Sequence, residues 1–271
     1  MIAMQEHLER SLDAVSLGLI PPQELAIQFG GGDFVRIGRN LLHRLVDWCG
    51  LLPSERILDV GCGAGRAAVP LTGYLSPHAR YFGFDVYPFG VDWCRQNLTP
   101  AFPNFLFQTV HVNNALYNPA GSIPARDFVF PCEDRSADLV LLNSVFTHML
   151  PEDMIAYMKQ IARVLDHCGR AYVTWFLIDD ESRRLDRETS VGVYLRHGVG
   201  PCRLQNRQDP EEAIGYDISF VHHVVRHAGL RLADVRRGSW RGIRSGHYQD
   251  VTILEKSGEN RNQPCFLPVS S

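Results

Sequence analysis

The chain of 271 residues is 45% hydrophobic and 21% charged, which is typical of a globular protein with one sizeable core. Its formal net charge of −3 comes from mixed acids and bases, which argues against a general attraction to nucleic acid or anionic membranes. No apolar run is long enough to span a bilayer, and the first residues lack the pattern of a signal peptide.

The cysteines indicate a reducing compartment. The sequence has seven of them, without a C-x-x-C pair, and an odd number leaves at least one unpaired. This usage is typical of free thiols, so we expect a cytoplasmic protein with no membrane partner. Nothing in the sequence indicates an oligomeric state.

Strand and helix patterns alternate along most of the chain. We predict helices over residues 8–19, 40–49, 91–98, 151–168 and 217–227, and a short one that contains Pro70. Strands are predicted over residues 56–60, 81–84, 105–112, 138–143, 170–178, 230–235 and 251–255. This alternation favours a doubly wound α/β fold with a parallel sheet. Because no helix separates the last two strands, they should pair antiparallel at one end.

A glycine-rich turn follows the first strand. It contains Gly61, Gly63 and Gly65, and Asp59 precedes it. Such a turn lets the backbone approach a ligand closely. The second strand leads to Asp85, 20 residues beyond Gly65, where a parallel sheet offers carboxylate oxygens to the hydroxyls of a ribose. Together these features predict a nucleoside-binding site.

The spacing of the glycines distinguishes between nucleosides. The dinucleotide fingerprint is G-x-G-x-x-G, whereas this chain has G-x-G-x-G with Asp59 before it, and an acid suits a cationic ligand better than a pyrophosphate. The pattern resembles motif I, E/D-x-G-x-G-x-G, of the class I methyltransferases that use S-adenosylmethionine (SAM). NAD(P) is the alternative ligand, and a merely structural turn is the alternative without function.

The resemblance extends over residues 21–256 and is carried by four further stretches. These are Gly31–Phe34, Pro70–Leu75, Ser144–Pro151 and Tyr248–Asp250, which are similar to a bacterial subgroup of this family. The resemblance implies a Rossmann-like, seven-stranded sheet with an antiparallel last strand, and a reaction that converts SAM to S-adenosylhomocysteine (SAH).

A single domain is expected. The resemblance implies that residues 40–256 form the SAM-dependent methyltransferase domain and that residues 1–39 are an N-terminal extension that covers the cofactor. Residues 179–216 lack periodicity, and a connection of this length usually forms a lid or substrate loop. Residues 257–271 are expected to be a loose tail.

The resemblance assigns the glycine-rich loop to the cofactor. Gly61, Gly63 and Gly65 would let the loop pass close to the methionyl and ribose parts of SAM, with Cys62 between them. Asp59 would act through water or through the loop amides.

The resemblance assigns further cofactor contacts to the ends of later strands. Asp85 would accept from both ribose hydroxyls, Val86 would pack on the adenine, and the carbonyl of Asn143 would accept from the methionyl ammonium. The family usually has an acid for the adenine amino group where this chain has His111. A neutral imidazole can accept one hydrogen bond, and the Val112 amide could reach a ring nitrogen, but a solvent-facing strand end explains His111 equally well.

His148 is the candidate general base. Methyl transfer needs a base only if the acceptor must lose a proton. His148 follows the fourth strand, at the carboxyl edge where ligands bind in open α/β sheets. The alternative is a packing or capping role beside Pro151, and this alternative stays open because a lone histidine has many structural uses.

Two other clusters have structural explanations. His223 and His227 lie one helical turn apart, but a zinc site needs a third ligand that the pattern does not supply, so no metal is predicted. The segment between the last two strands could meet an acidic acceptor, although a solvated loop is the safer interpretation. Its arginines are Arg236, Arg237, Arg241 and Arg244.

Two hypotheses of function follow. In the first, the protein transfers a methyl group from SAM to an oxygen or nitrogen of a small-molecule acceptor, in secondary metabolism, with no nucleic-acid partner. In the second, it binds SAM without transferring methyl, as a regulator or in another reaction, because fold does not fix function.

Overall fold

The structure is a computed structural model that describes residues 18–185 and 192–257. The predicted helix over 8–19 and the tail from residue 258 therefore lie largely outside the described residues. The α-helices are α1 (Gln23–Gln28), α2 (Phe34–Cys49), α3 (Ala68–Tyr74), α4 (Pro88–Asn97), α5 (Pro151–Val164), α6 (Asp180–Leu185) and α7 (Ile218–His227).

The strands form two sheets. They are β1 (Arg56–Val60), β2 (Arg80–Asp85), β3 (Phe105–Thr109), β4 (Ala137–Leu142), β5 (Leu165–Trp175), β6 (Leu177–Ile178), β7 (His197–Val199), β8 (Cys202–Leu204), β9 (Ile214–Asp217), β10 (Leu230–Arg236) and β11 (Asp250–Lys256). The larger sheet has the order β10-β11-β5-β4-β1-β2-β3. Strands β1, β2 and β3 pair in parallel, whereas β11 is antiparallel to both β5 and β10. The predicted seven-stranded fold is confirmed.

The described residues fall into two compact units. The first unit comprises residues 18–110 and 137–139. It contains the core of the first three strands, where the Tyr81 ring stacks on Phe105 with a centroid distance of 4.9 Å. The second unit comprises residues 111–136, 140–185 and 192–257, and its buried side chains include Trp175, Tyr216 and Leu254.

Helix α2 begins at Phe34, earlier than the predicted start at Asn40. Asp33 caps its N-terminus, because the carboxylate accepts a hydrogen bond from the amide of Arg36 at 3.0 Å. The helix ends at Cys49, and Gly50 in the left-handed conformation closes it as predicted.

Helix α5 begins at Pro151 as predicted but ends at Val164 rather than at Gly169. The buried residue Leu165 already has extended backbone angles, so the chain enters β5 there. The predicted strand over 170–178 is also divided. Its last two residues, Leu177 and Ile178, form β6 in the second sheet, because Phe176 turns its carbonyl to the amide of Tyr216.

Strand β3 ends at Thr109, whereas the sequence predicts a strand to Val112. Val112 instead forms an isolated bridge with Ile123. The sequence pattern continues to alternate beyond Thr109, but the hydrogen-bonded partner strand β2 ends at Asp85, which pairs with Thr109.

The predicted lid segment contributes β7, β8 and most of β9 to a small second sheet, which β6 completes. Its strand order is β6-β9-β8-β7, with antiparallel pairing of β7, β8 and β9 and parallel pairing of β6 with β9. The sequence did not predict it, because strands of two to four residues are too short to show a period. In the part of the chain that the structure describes, no helix is long and apolar enough to cross a membrane.

Candidate functional site

The glycine-rich loop is hydrogen-bonded to the end of β2. The amides of Gly61 and Cys62 donate to the carbonyl of Phe84 at 2.9 and 3.1 Å, and the amide of Gly63 donates to Asp85 at 2.7 Å. The structure therefore brings together the loop and the acid that the sequence analysis assigned to one ligand.

Asp85 is 8% exposed, and its carboxylate accepts hydrogen bonds from backbone amides. One oxygen bonds to Gly63, and the other accepts from the amide of Tyr87 at 2.8 Å. Burial raises the pKa of Asp85, and the bonds from these amides and from Val86 act in the opposite direction. Each oxygen has two lone pairs, so the group retains capacity for the hydroxyls of a ribose.

Gly63 has a conformation and surroundings that only glycine accepts. Its φ is +54°, and an added Cβ would lie 2.7 Å from the ring of Phe29. That ring in turn packs edge-on against Tyr87, with a centroid distance of 5.5 Å. The residues that follow α1 therefore pack directly on the loop.

Arg66 fastens the N-terminal segment to this loop. Its guanidinium donates to the carbonyls of Ala26 at 3.3 Å and Gly31 at 3.1 Å, and it lies over the ring of Phe34 at 5.4 Å. That the N-terminal segment covers the cofactor remains a prediction.

Asp59 is almost fully buried, at 2% exposure, and accepts a hydrogen bond from the hydroxyl of Tyr81. The pKa of Asp59 is raised from 3.8 to about 7, because burial and the nearby charge of Asp85 raise it by more than the hydrogen bond from Tyr81 lowers it. The sequence analysis missed Tyr81. A signal was available, because Tyr81 and Asp85 are an even number of residues apart in one strand and share a face of the sheet.

The two other cofactor candidates of the first unit flank these acids. Cys62 is buried beside the loop, and burial raises the pKa of its thiol, which keeps the sulfur protonated. Val86 is half-buried directly after Asp85. The contacts of both residues with a cofactor stay predictions.

The second unit contains the other three cofactor candidates, His111, Val112 and Asn143. The His111 side chain is exposed, as the strand-end interpretation expects, and its carbonyl accepts from the amide of Ile123. Val112 is buried and its carbonyl accepts from the side chain of Asn118 at 2.9 Å. Asn143 is half-buried immediately after β4.

His148 is held in one tautomer by the small-sheet region. Its Nδ1 lies 2.9 Å from the carbonyl oxygen of Glu211. Because a carbonyl only accepts, Nδ1 carries the proton and Nε2 is the nitrogen that can accept one. Burial lowers the pKa of His148, while the carbonyls of Glu211 and Glu212 and the charge of Asp209 oppose this shift. The ring is therefore suited to act as a base, although the contact with Glu211 also gives it a structural role.

Arginines of the segment between the last two strands form ion pairs with acidic side chains. The Arg241 side chain is fully buried and pairs with Asp250 at 3.0 Å and with Asp179 at 2.8 Å. Arg237 also pairs with Asp179, and Arg236 pairs with Asp234. The interpretation as a solvated loop is therefore wrong for Arg241, because its buried charge is paired with the buried Asp250 and the half-buried Asp179.

The histidine pair of α7 packs ring against ring. The centroids of His223 and His227 are 3.9 Å apart, and Nδ1 of His227 lies 2.8 Å from the carbonyl of His223. Within residues 18–185 and 192–257, no group of three or more histidine, cysteine, aspartate or glutamate side chains is arranged to hold a metal ion.

Comparison with known proteins gives a family match. A profile described as a methyltransferase domain matches residues 58–173, which span the glycine-rich loop, Asp85 and β5. The chain is 29% identical over 151 residues to a probable phthiotriol/phenolphthiotriol dimycocerosates methyltransferase of Mycobacterium ulcerans, covering 54% of this chain and 48% of that protein. It is 28% identical over 142 residues to the aklanonic acid methyltransferase of a Streptomyces species, covering 52% and 55%. The match thus spans about half the length of these relatives.

A solved structure supports the fold. The chain superposes on the 1,6-didemethyltoxoflavin-N1-methyltransferase of Burkholderia thailandensis with a TM-score of 0.54 and 17% identity, covering 83% of this chain and 80% of that one. Sheet order, glycine-rich loop and family match agree, and SAM is the cofactor that accompanies them. Residues 58–173 thus match the methyltransferase-domain family, in agreement with the resemblance of the glycine-rich loop to motif I of the class I SAM-dependent methyltransferases.

Proposed function

We propose that this protein transfers the methyl group of SAM to an oxygen or nitrogen of a small-molecule acceptor, in secondary metabolism. The observation that carries the proposal is the hydrogen bond between Gly63 and Asp85, which joins the loop and the ribose-binding acid. The buried acid Asp59 next to them has no cationic partner within the part of the chain that the structure describes, which fits a ligand that carries positive charge.

Bound SAM supplies an activated methyl group, so the chain must mainly hold the acceptor in line. Asp85 would bind the ribose, the loop glycines would admit the methionyl part, and Val86 and Val112 would contact the adenine. Asn143 would hold the ammonium, and His111 would be a peripheral contact because its side chain is exposed.

His148 is the proposed base for an acceptor that must lose a proton. Its Nδ1–H is occupied by the carbonyl of Glu211, which leaves Nε2 to take the proton. Because its pKa is lowered, the ring is neutral and able to accept a proton near neutral pH.

The small-molecule acceptor is supported by the names of the two aligned relatives, which specify an aklanonic acid and a phthiotriol or phenolphthiotriol dimycocerosate substrate. The net charge of −3 does not favour a nucleic-acid acceptor. A cytoplasmic location belongs to the same proposal, and it is supported by the buried cysteines Cys62, Cys94 and Cys202, which are thiols outside any disulfide.

The first test is calorimetric binding of SAM and SAH to the wild type, to Asp85→Ala and to Asp92→Ala. We expect a dissociation constant in the micromolar range, about −8 kcal/mol, for the wild type and Asp92→Ala, because Asp92 is an exposed residue of α4. Asp85→Ala should lose at least about 100-fold, because it removes a charged hydrogen-bond acceptor. Binding of neither ligand by the wild type would contradict the proposal.

The second test is turnover. SAH formation with fractionated small-molecule extracts should depend on His148, with His148→Ala losing about 100-fold or more while SAM binding is kept. Ribosomal RNA is tested as the alternative acceptor, and SAH formation with it would contradict a small-molecule acceptor. SAM binding without SAH formation from any fraction would favour the non-transferring alternative.

A further inference from the structure

Two neighbouring carboxylates, Asp59 and Asp85, are buried in the first unit, and neither has a basic partner among the described residues. Asp59 is 2% exposed and Asp85 is 8% exposed. The titratable groups that act on Asp59 or neighbour it are Tyr81, Asp85, Cys62 and Cys94. Among the described residues, no lysine, arginine or histidine forms an ion pair with either acid. Burial raises the pKa of both thiols, so that of these titratable groups Asp59 and Asp85 are the ones that can carry a negative charge near neutral pH.

The register of the sheet explains how Tyr81 reaches Asp59. Asp59 of β1 pairs with Gly83 of β2. Tyr81, Gly83 and Asp85 are every second residue of β2 and therefore lie on the same face of the sheet. A Cβ at Gly83 would lie 2.8 Å from the Cβ of Cys62 and 3.2 Å from the Tyr81 ring. The missing side chain at Gly83 thus leaves the space through which the Tyr81 hydroxyl donates to Asp59.

Amide and hydroxyl donors are divided unequally between the two acids. Asp85 accepts from the amides of Gly63 and Tyr87, which stabilise its ionised form. The only hydrogen-bond donor that the described structure gives to the Asp59 carboxylate is the hydroxyl of Tyr81. Of the two acids, Asp59 is therefore the one whose ionisation depends most on an additional positive charge.

We propose that Asp59, tuned by Tyr81, makes the site discriminate the charged cofactor SAM from its uncharged product SAH by exchanging a proton with solvent. The proposal rests on the proposed function in that SAM must be the ligand. SAM has a net charge of +1 because of its sulfonium, whereas the thioether SAH is neutral overall. Binding of SAM stabilises the Asp59 carboxylate and releases its proton to solvent, and loss of the sulfonium charge lets the carboxyl take a proton back.

The sign of the pH dependence follows from this exchange. Burial places the pKa of Asp59 at about 7 without ligand, and a nearby opposite charge lowers a carboxyl pKa by about 1 to 3 units. SAM should therefore bind more tightly as the pH rises through 7, while SAH binding changes little. A lowering by about one unit gives a rise of about fivefold in the preference for SAM between pH 6 and pH 8.

The experiment measures the dissociation constants of SAM and SAH between pH 6 and pH 8.5, and reports their ratio so that titrations common to both ligands cancel. Calorimetry in two buffers of different ionisation enthalpy also counts protons, and roughly 0.4 proton should be released per SAM at pH 7 for the same one-unit shift. The wild type should show both effects, whereas Asp59→Asn should show neither, because an amide does not titrate.

Tyr81→Phe separates this role from a purely structural one. The ring keeps its stacking on Phe105, but the bond that lowers the pKa of Asp59 is gone, so the midpoint of the ratio should move to higher pH. Asp92→Asn, on the exposed surface of α4, is the control and should behave as the wild type.

Three outcomes would overturn the inference: a pH-independent ratio in the wild type, an unchanged pH dependence in Asp59→Asn, or an unmoved midpoint in Tyr81→Phe. These outcomes leave the proposed function intact, because both ligands would still bind. Failure of the wild type to bind either ligand would contradict the proposed function instead. If Asp59→Asn does not fold, the number of protons released on SAM binding is compared between the wild type and Tyr81→Phe instead. Absence of release by the wild type would then overturn the inference.

Discussion

At the scale of single residues, two features of the glycine-rich loop favour glycine at position 63: the positive backbone angle φ and the close approach of a neighbouring ring. Gly63 has a φ of +54° and faces the ring of Phe29, whereas Gly200 has nearly the same φ, +55°, with open space around it. The two glycines therefore form a matched pair, in which only Gly63 adds a steric contact to the backbone strain.

We expect Gly63→Ala to lower the free energy of unfolding by more than Gly200→Ala. The left-handed conformation costs either alanine about 1 to 2 kcal/mol, and the contact with Phe29 adds to this cost at Gly63 alone. Urea denaturation of both variants measures the difference. A Phe29→Ala background should reduce the excess, and equal losses in both glycine variants would show that the ring moves away freely.

A second residue-scale prediction concerns Arg241. This buried guanidinium neutralises Asp250, which also accepts from the amides of Leu177 and Gly238 and from the indole of Trp240. Arg241→Met would leave Asp250 buried without a cation, which costs about 3 to 5 kcal/mol.

The control for Arg241 is Arg236→Met. Arg236 pairs with Asp234, and both side chains are 41% exposed, so solvent screens the pair and its loss should cost less than about 1 kcal/mol. Chemical denaturation of the two variants at pH 7 checks the contrast. Similar losses would show that Asp250 is stabilised by its neutral donors alone.

At the scale of elements, Arg66 connects α1 and the following glycines to the loop after β1. Arg66→Met removes two hydrogen bonds from a charged donor to the carbonyls of Ala26 and Gly31. We expect amide hydrogen exchange of residues 23–33 to accelerate about tenfold or more, with no change in β1 and β2. Arg36→Met is the control, since its side chain is 73% exposed, and acceleration in both variants would contradict the assignment.

The elements that the sequence predicted are those with strong local signals. Strand β1 was predicted with its observed bounds, because apolar residues and the glycine turn delimit it, and Pro151 marks the start of α5 for a similar reason. The second sheet was missed because its strands are too short to show a period, and because one of its pairings joins Leu177 with the distant residue Tyr216. Local patterns contain no information on such pairs.

The same difference applies to the candidate site. Asp59, the loop glycines and Asp85 follow one another in a motif and were predicted from it. Tyr81 was missed because its partner Asp59 is reached across the sheet, and only the register of β1 against β2 shows the contact. Arg241 was misinterpreted because its charge is compensated by Asp179 and Asp250, which lie far from it or beyond it in the sequence.

At the scale of the whole molecule, the buried acid connects binding with stability. The pKa of Asp59 is raised from 3.8 to about 7 on folding, so the folded protein binds more protons than the unfolded chain between these values. Asp59 therefore costs stability as the pH rises through this window, and the cost becomes constant above about pH 7. A site that is prepared for a cation is destabilised as long as the cation is absent.

Asp59→Asn should remove this cost while its amide oxygen still accepts from Tyr81. Without ligand, we expect the variant to gain free energy of unfolding relative to the wild type, and the gain should be larger at pH 8 than at pH 5 by about 2 to 3 kcal/mol. Urea denaturation at both pH values measures this. Saturating SAM should narrow the difference at pH 8, because the ligand stabilises the wild type more than the variant. A gain that does not change with pH would mean that the Asp59 carboxyl is not the group that titrates.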